Sequence, residues 1–171
     1  EYDAYLGIVP GRFLADIYIK YGSKLLQGNV RAFLSVRGKV NKGIRETIIK
    51  QQDSFFTYNN GIAIVARSIG FSTDKTKITH FKDLQIINGG QTTASLANAI
   101  IRKEDKKGMG NLFVPMKLTV LNVDNDMSEE DIERYNDITK TISKCANCQN
   151  PVSDADFFSN HPFHVMMEKL S

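Results

Sequence analysis

A chain of 171 residues, 42% hydrophobic and 24% charged, is long enough to bury one core and has the composition of an ordinary globular domain, which excludes fibrous and disordered classes. Its formal charge of +3 permits contact with nucleotides or nucleic acid without arguing for it, and no run of like charge forms a tail. No apolar stretch approaches the roughly 20 residues that span a bilayer and no signal peptide opens the chain, so a cytoplasmic protein with no membrane partner is expected. The chain starts at Glu1 without methionine and stops at Ser171 inside a helix-like stretch. The expected organisation is one domain over 1–171, cut from a longer protein whose other domains are its partners.

Tyr2 to Val9 is rich in β-branched and aromatic residues and ends at Pro10-Gly11, which predicts an entry strand and a turn. From Phe13 to Leu26 the residues Leu14, Ile17, Tyr18, Tyr21 and Leu25 recur at three- and four-residue spacings, predicting an amphipathic helix packed on a sheet. Gly28-Asn29 then stops the helix ahead of Arg31. That guanidinium could hold a phosphate or carboxylate bidentately, although an ion pair is the commoner role for a single arginine. Val40 to Ile49 predicts a second helix, with Asn41 as its N-cap, Lys42 beside it, and Ile44, Ile48 and Ile49 on the buried face.

Phe55-Phe56-Thr57-Tyr58-Asn59-Asn60-Gly61 joins an aromatic cluster to an Asn-Asn-Gly turn, with a β-rich segment following from Ile62 to Ile69. An Asn-Gly break between β-prone runs predicts a hairpin, and two adjacent asparagines also suit the reading of a polar ligand. Phe71 to His80 is polar and reads as an exposed edge hairpin leading into a central strand, Lys82 to Ile87.

Leu84 to Leu96 is the stretch around which the chain is organised. It reads as strand, Asn88-Gly89-Gly90 turn and helix, the last running from about Thr92 to Arg102 with Leu96, Ala97 and Ile100 inward. Glycines at the turn leave the first amides of the helix open to an anion, with the helix dipole behind them. The plainer alternative is that Thr92 or Thr93 caps the helix and the glycines only make a βα turn.

Glu104 to Gly110 reads as a charged loop and Phe113 to Val123 as a strand. Ser128-Glu129-Glu130-Asp131 has the acidic signature of a helix start, and that helix carries Ile132, Tyr135 and Ile138. Thr139 to Ser143 and Cys145 to Val152 read as a polar hinge, and Ser153 to Ser171 as two short helices broken near Pro162. The fold class is α+β, a central mixed sheet with packed helices.

Among motifs with chemistry, Cys145-x-x-Cys148 followed by His161 and His164 resembles a zinc-finger pattern. The histidines are separated by two residues, short of the usual gap of about three to five, so free thiols and no metal are expected. No nucleophile stands beside a base, and no Walker or Rossmann fingerprint is present. What stands out instead is polar residues at the ends of elements: Asn29 with Arg31, Asn41 with Lys42, Asn59 with Asn60, Asn88 with Gln91, and Asn136 with Lys140. Such placement suggests a common cleft.

Several motifs in order, Asn29-Val30-Arg31-x-Phe33-Leu34, Val40-Asn41-Lys42-Gly43-Ile44, Phe55-Phe56-x-Tyr58-Asn59-Asn60-Gly61-Ile62, Gln85-Ile86-Ile87-Asn88-Gly89-Gly90-Gln91-Thr92-Thr93 and Gln149-Asn150-Pro151-Val152-Ser153, closely resemble the abortive infection phage resistance (AIPR) family of bacteria. The resemblance implies a cytoplasmic anti-phage role and names no reaction. A more distant likeness is to ParB and sulfiredoxin-like domains with an Asp-Gly-Gln-Gln-Arg or Asp-Gly-Gln-His-Arg signature, whose cleft binds a nucleotide. It implies that Asn88-Gly89-Gly90-Gln91 faces the phosphates, that Arg31 is a second anion contact and that Asn136 forms a third wall. Where those relatives place an acid and an arginine, this chain has Asn88 and Thr92, so hydrolysis stays open.

The expected ligand-binding set is therefore Asn29, Arg31, Asn41, Lys42, Asn59, Asn60, Asn88, Gly89, Gly90, Gln91, Thr92 and Asn136. The expected ligand is a nucleotide, such as a nucleoside triphosphate with Mg²⁺. Two alternatives stand beside this one. The first is a nucleic-acid-binding or nuclease-associated module that stacks bases on Phe55, Phe56 and Tyr58. The second is a protein-interaction scaffold.

Overall fold

The computed structural model describes residues 2–26, 39–104, 108–123 and 128–147, and over these the fold is α+β, as expected. Strand β1 (Asp3–Pro10) turns directly into helix α1 (Gly11–Tyr21), which tightens into a 3₁₀ turn over Gly22–Leu26. The helix expected from Phe13 to Leu26 therefore starts earlier and changes character at Gly22, whose φ of +57° ends the α geometry. Helix α2 (Lys39–Lys50) follows, and it buries Ile44 and Ile48. Because α2 begins at Lys39, Asn41 lies inside the helix rather than capping it.

A 3₁₀ turn at Gln52–Ser54 leads into the short helix α3 (Phe55–Tyr58) and then strand β2 (Ile62–Ala66). The aromatic run is thus helical, and Asn59 to Gly61 joins helix to strand where a hairpin was expected. Phe55 decides this: it is fully buried in the core, and a single helical turn lets it point inward while Phe56 and Tyr58 remain exposed. The hairpin expected over the polar stretch is present, as β3 (Ser68–Phe71) and β4 (Ile78–Lys82). Then come β5 (Gln85–Asn88), α4 (Gly90–Ile101), β6 (Phe113–Val120) and α5 (Glu129–Asn147).

Four strands form one mixed sheet in the order β1-β6-β2-β5, with β6 antiparallel to β1 and parallel to β2, and β5 antiparallel to β2. The strand expected at the centre, β5, is an edge strand. Its continuous Ile86-Ile87 run is explained by helices rather than by flanking strands, since Ile86 packs into the core on one face and Ile87 into the cluster on the other.

On the inner face, Leu14 and Ala15 of α1, Leu96, Ala97 and Ala99 of α4, and Ile44 and Ile48 of α2 close over Ile62, Ile64, Ile86, Val114, Met116, Leu118 and Val120. The β3–β4 hairpin flanks this layer through two ring contacts, Tyr5 with Phe71 at 5.8 Å and Phe13 with Phe81 at 6.4 Å. On the outer face, α5 lays Tyr135, Ile138, Ile142 and Ala146 against Val65, Ile87 and Leu121.

Helix α5 opens with a reciprocal cap. The Asp131 amide donates to Ser128 Oγ at 3.2 Å, and the Ser128 amide donates to the Asp131 carboxylate at 3.2 Å. The Ser128 hydroxyl donates to the same carboxylate and holds it below its ordinary pKa. The hinge expected over Thr139–Ser143 is a continuous part of this helix, because Ile138, Ile142 and Ala146 keep the helical apolar period and Thr139 and Ser143 are buried beneath it. Residues Ser153 to Ser171, expected as two short helices, lie outside the described residues.

Candidate functional site

Strand register brings three connections to one end of the sheet. Pro10 lies opposite Phe113, Ile62 beside Met116, and Ala63 opposite Asn88. The end of β1, the starts of β6 and β2, and the end of β5 therefore coincide. Three turns leave from here: Pro10-Gly11 into α1, Asn59-Asn60-Gly61 into β2, and Asn88-Gly89-Gly90 into α4.

Helices α1 and α4 pack together on the inner face and both start at this end, so their positive dipole ends point the same way. Neither has an acidic residue in its first turn, and neither N-cap, Pro10 or Gly89, supplies a side-chain hydrogen bond. The first amides of α4 are thus left without a side-chain acceptor.

Glycine is required at both neighbouring turns. Gly89 sits at φ +88°, where a Cβ would stand 2.5 Å from Ile62 Cγ2 and 2.9 Å from the Gly61 carbonyl oxygen. Gly61 sits at φ +78°, with the Pro115 carbonyl occupying the position of its missing Cβ. The two turns are consequently stacked backbone on backbone, and the space each glycine leaves is filled by the neighbouring segment of the chain. The threonines do not cap α4. Thr92 is buried, and Thr93, also buried, spends both its amide and its hydroxyl on the Gly89 carbonyl, at 3.0 and 3.1 Å.

Of the expected ligand-binding residues, Asn59, Asn60, Asn88, Gly89, Gly90, Gln91 and Thr92 come together at this end. Two of the asparagines carry structural duties there. Asn59 Nδ2 donates to the Phe55 carbonyl at 3.0 Å and closes α3, and Asn88 Nδ2 donates to the Ala146 carbonyl at 2.7 Å. Asn60 is exposed and Gln91 half-buried, and neither makes a side-chain hydrogen bond to another described residue.

Lys42 lies elsewhere. Arg45, one turn further along α2, forms a bidentate pair with Glu104 just past the C-terminal end of α4, at 2.8 and 2.5 Å, so the first turn of α2 is near the opposite end of α4 from Gly90. The hydrogen bonds of that pair raise the Arg45 pKa and lower that of Glu104. Asn136 is exposed on α5, three turns before Ala146 and on the far side of the sheet from α4. Its neighbour Tyr135 is anchored to the Asp83 carbonyl at the other end of β5, and burial raises the pKa of that phenol. Asn29, Arg31 and the side chain of Asn41 lie outside the described residues.

Sequence reasoning passes over the start of α1. Pro10-Gly11-Arg12 reads as a turn, yet it opens a helix beside α4, and Pro followed by an amphipathic run is the signal that could have found it. Arg12 stands in that first turn with its Nε 3.0 Å from Asp16 Oδ2. Among the described residues no group of three or more His, Cys, Asp and Glu side chains could hold a metal ion. Cys145 is an exposed free thiol, and Cys148, His161 and His164 lie outside the described residues. No helix among the described residues is long and apolar enough to cross a membrane.

A mixed sheet, helices starting together on its inner face and stacked glycine turns at their origin define an α+β domain with a candidate ligand cradle. The family model for AIPR, described as AIPR protein, matches residues 26–171, which takes in both glycine turns and every strand but β1. The chain belongs to the AIPR family and is a domain of an abortive-infection, anti-phage protein. No curated protein and no solved structure matches it.

Proposed function

We propose that this domain binds a nucleotide by its phosphates at the Asn88-Gly89-Gly90-Gln91 turn and that binding serves the anti-phage role of the family. The observation that carries the reading is the start of α4: an αL glycine as N-cap, no side-chain cap, no acid in the first turn, and a second glycine turn stacked on it. Uncapped amides at a helix N-terminus favour an anion, with the helix dipole behind them. Gln91 and Asn60, whose side-chain amides bond to no other described residue, would read the rest of the ligand. Mg²⁺ would travel with a triphosphate. Hydrolysis is not part of the proposal, because among the described residues neither the first turn of α4 nor the Asn88-Gly89-Gly90-Gln91 turn carries an acid or a histidine.

The test is calorimetric titration of the chain with ATP, GTP, CTP and UTP, each with Mg²⁺, and with tripolyphosphate as the phosphate-only control. Binding that is lost in Gln91→Ala at unchanged melting temperature supports the reading. No heat at millimolar ligand for all five removes it.

A second reading has one observation in its favour. Phe56 is 47% and Tyr58 64% exposed on α3, immediately before the Asn59–Gly61 turn, and exposed aromatics can stack the bases of a single strand. A gel shift that weakens steeply with salt and disappears in Tyr58→Ala would favour it over the mononucleotide.

A further inference from the structure

Among the described residues, β1 pairs with a strand on one side only, β6; no strand pairs with its other edge, and the β3–β4 hairpin touches β1 through the Tyr5–Phe71 ring contact on the inner face. Open edges are usually protected by a lysine, a bulge or a central proline. This one has none of them: its pairing with β6 runs in unbroken register from Asp3 to Pro10, its one charge is Asp3, and its proline is the last residue.

The outer face of the same strand is apolar and bare. Leu6 is 88% and Ile8 60% exposed, and across the ladder Ile8 faces Pro115 and Pro10 faces Phe113, which is 38% exposed. Among the described residues, α5 meets this face at Val65, Ile87 and Leu121, away from Leu6 and Ile8.

We propose that β1 is a self-association strand, and that two copies of the chain pair β1 with β1 in antiparallel fashion about a two-fold axis at Leu6, joining their sheets edge to edge. A two-fold axis perpendicular to the sheet keeps both outer faces on the same side. Directly opposed residues must then have the same parity along the strand. The register centred on Leu6 sets Leu6 against Leu6 of the second copy, Ile8 against Ala4, Tyr5 against Gly7 and Asp3 against Val9.

Apart from the apolar Leu6 pair on the axis, Ile8 meets Ala4 on one face and Tyr5 meets Gly7 on the other, and no like charges oppose each other, which is the self-complementarity an isologous contact needs. The alternative register, centred on Gly7, would set Ala4 against Pro10, which has no amide to donate, and is disfavoured. Lys117 flanks Leu6 on β6, but the two copies of it would be three strand spacings apart, about 14 Å, and screened by salt.

Sedimentation of the chain over a dilution series from low to high micromolar is the test. The expected result is a reversible monomer–dimer equilibrium, with Leu6→Lys monomeric at every concentration and its melting temperature equal to that of the parent at dilutions where the parent is monomeric, because the side chain is exposed. In a background of Cys145→Ser and Cys148→Ser, Leu6→Cys should oxidise to a covalent dimer much faster than Ile8→Cys, which decides the matter even where the lysine variant folds poorly. A parent chain that stays monomeric throughout overturns the proposal. So does a dimer indifferent to Leu6→Lys, a larger assembly in place of a dimer, or equal crosslinking at the two cysteine positions.

Discussion

The side-chain amide of Asn88 donates to the Ala146 carbonyl at 2.7 Å and so ties the last residue of β5 to the last turn of α5. That carbonyl is among the last four of the helix, which have no partner within it. Asn88→Ala should therefore cost about 1 kcal/mol in urea denaturation and speed amide exchange at nearby helix ends, while leaving the start of α5 protected. Asn88→Asp should be worse at neutral pH, because it sets a carboxylate against a carbonyl oxygen. Equal exchange along α5 in Asn88→Ala and the parent would show that this bond does not hold the helix end.

Gly89 and Gln91 separate folding from binding. Gly89→Ala forces a side chain into an αL position already in contact with Ile62 and the Gly61 carbonyl, so a loss of about 1–3 kcal/mol from the backbone alone is expected, with steric cost on top. Gln91→Ala should leave stability nearly unchanged and abolish the nucleotide heat. Chemical denaturation and calorimetry on the same preparations check both. Normal binding in Gln91→Ala would move the site off this turn.

The aromatic run should split by burial. Phe55, fully buried, should cost about 3–5 kcal/mol on truncation to alanine, and the exposed Phe56 and Tyr58 almost nothing. Thermal melts of the three variants settle the stability half, and a strand-binding assay on the two stable ones addresses the nucleic-acid reading.

One turn of the β3–β4 hairpin is sensitive to acid. The Ser72 hydroxyl and then the Thr76 hydroxyl and amide donate to the Asp74 carboxylate and lower its pKa from 3.8 to about 2. A group whose folded pKa is depressed stabilises the fold fully above its unfolded value and loses that contribution as pH falls through the folded one. Stability should decline between pH 3.8 and about 2, and Asp74→Asn should flatten that part of the curve. A carboxyl-carbon NMR titration of Asp74 reads the shift directly.

Periodicity was enough to find β1, α4, β6, the β3–β4 hairpin and the capped start of α5, because each is set by its own residues. The order β1-β6-β2-β5 was not legible, since it depends on which strands pair across long separations and β5 resembles a central strand when helices cover both its faces. The Asn59–Gly61 turn was found but misassigned. An aromatic run is compatible with strand or helix, and only the burial of Phe55 distinguishes them. At the site, glycines and asparagines were legible by position, but the amides of Asn59 and Asn88 look the same in sequence whether they read a ligand or bind a carbonyl. Lys42 and Asn136 show the limit of inferring a cleft from element ends, because a domain has two ends and sequence does not say which one a turn occupies.

The pairing of Asp3 with Val120 has a consequence for the order of events on the ribosome. A chain made from its N-terminus produces β1 long before β6, its only partner among the described strands. At a synthesis rate of about 5–20 residues per second the β1 segment waits several seconds without its partner strand. During that interval α1, α2 and α4 can gather, but the sheet cannot close. The last of its four strands to be made completes two of the three pairings at once, with β1 and with β2, so the rate at which β6 emerges governs when the sheet can close.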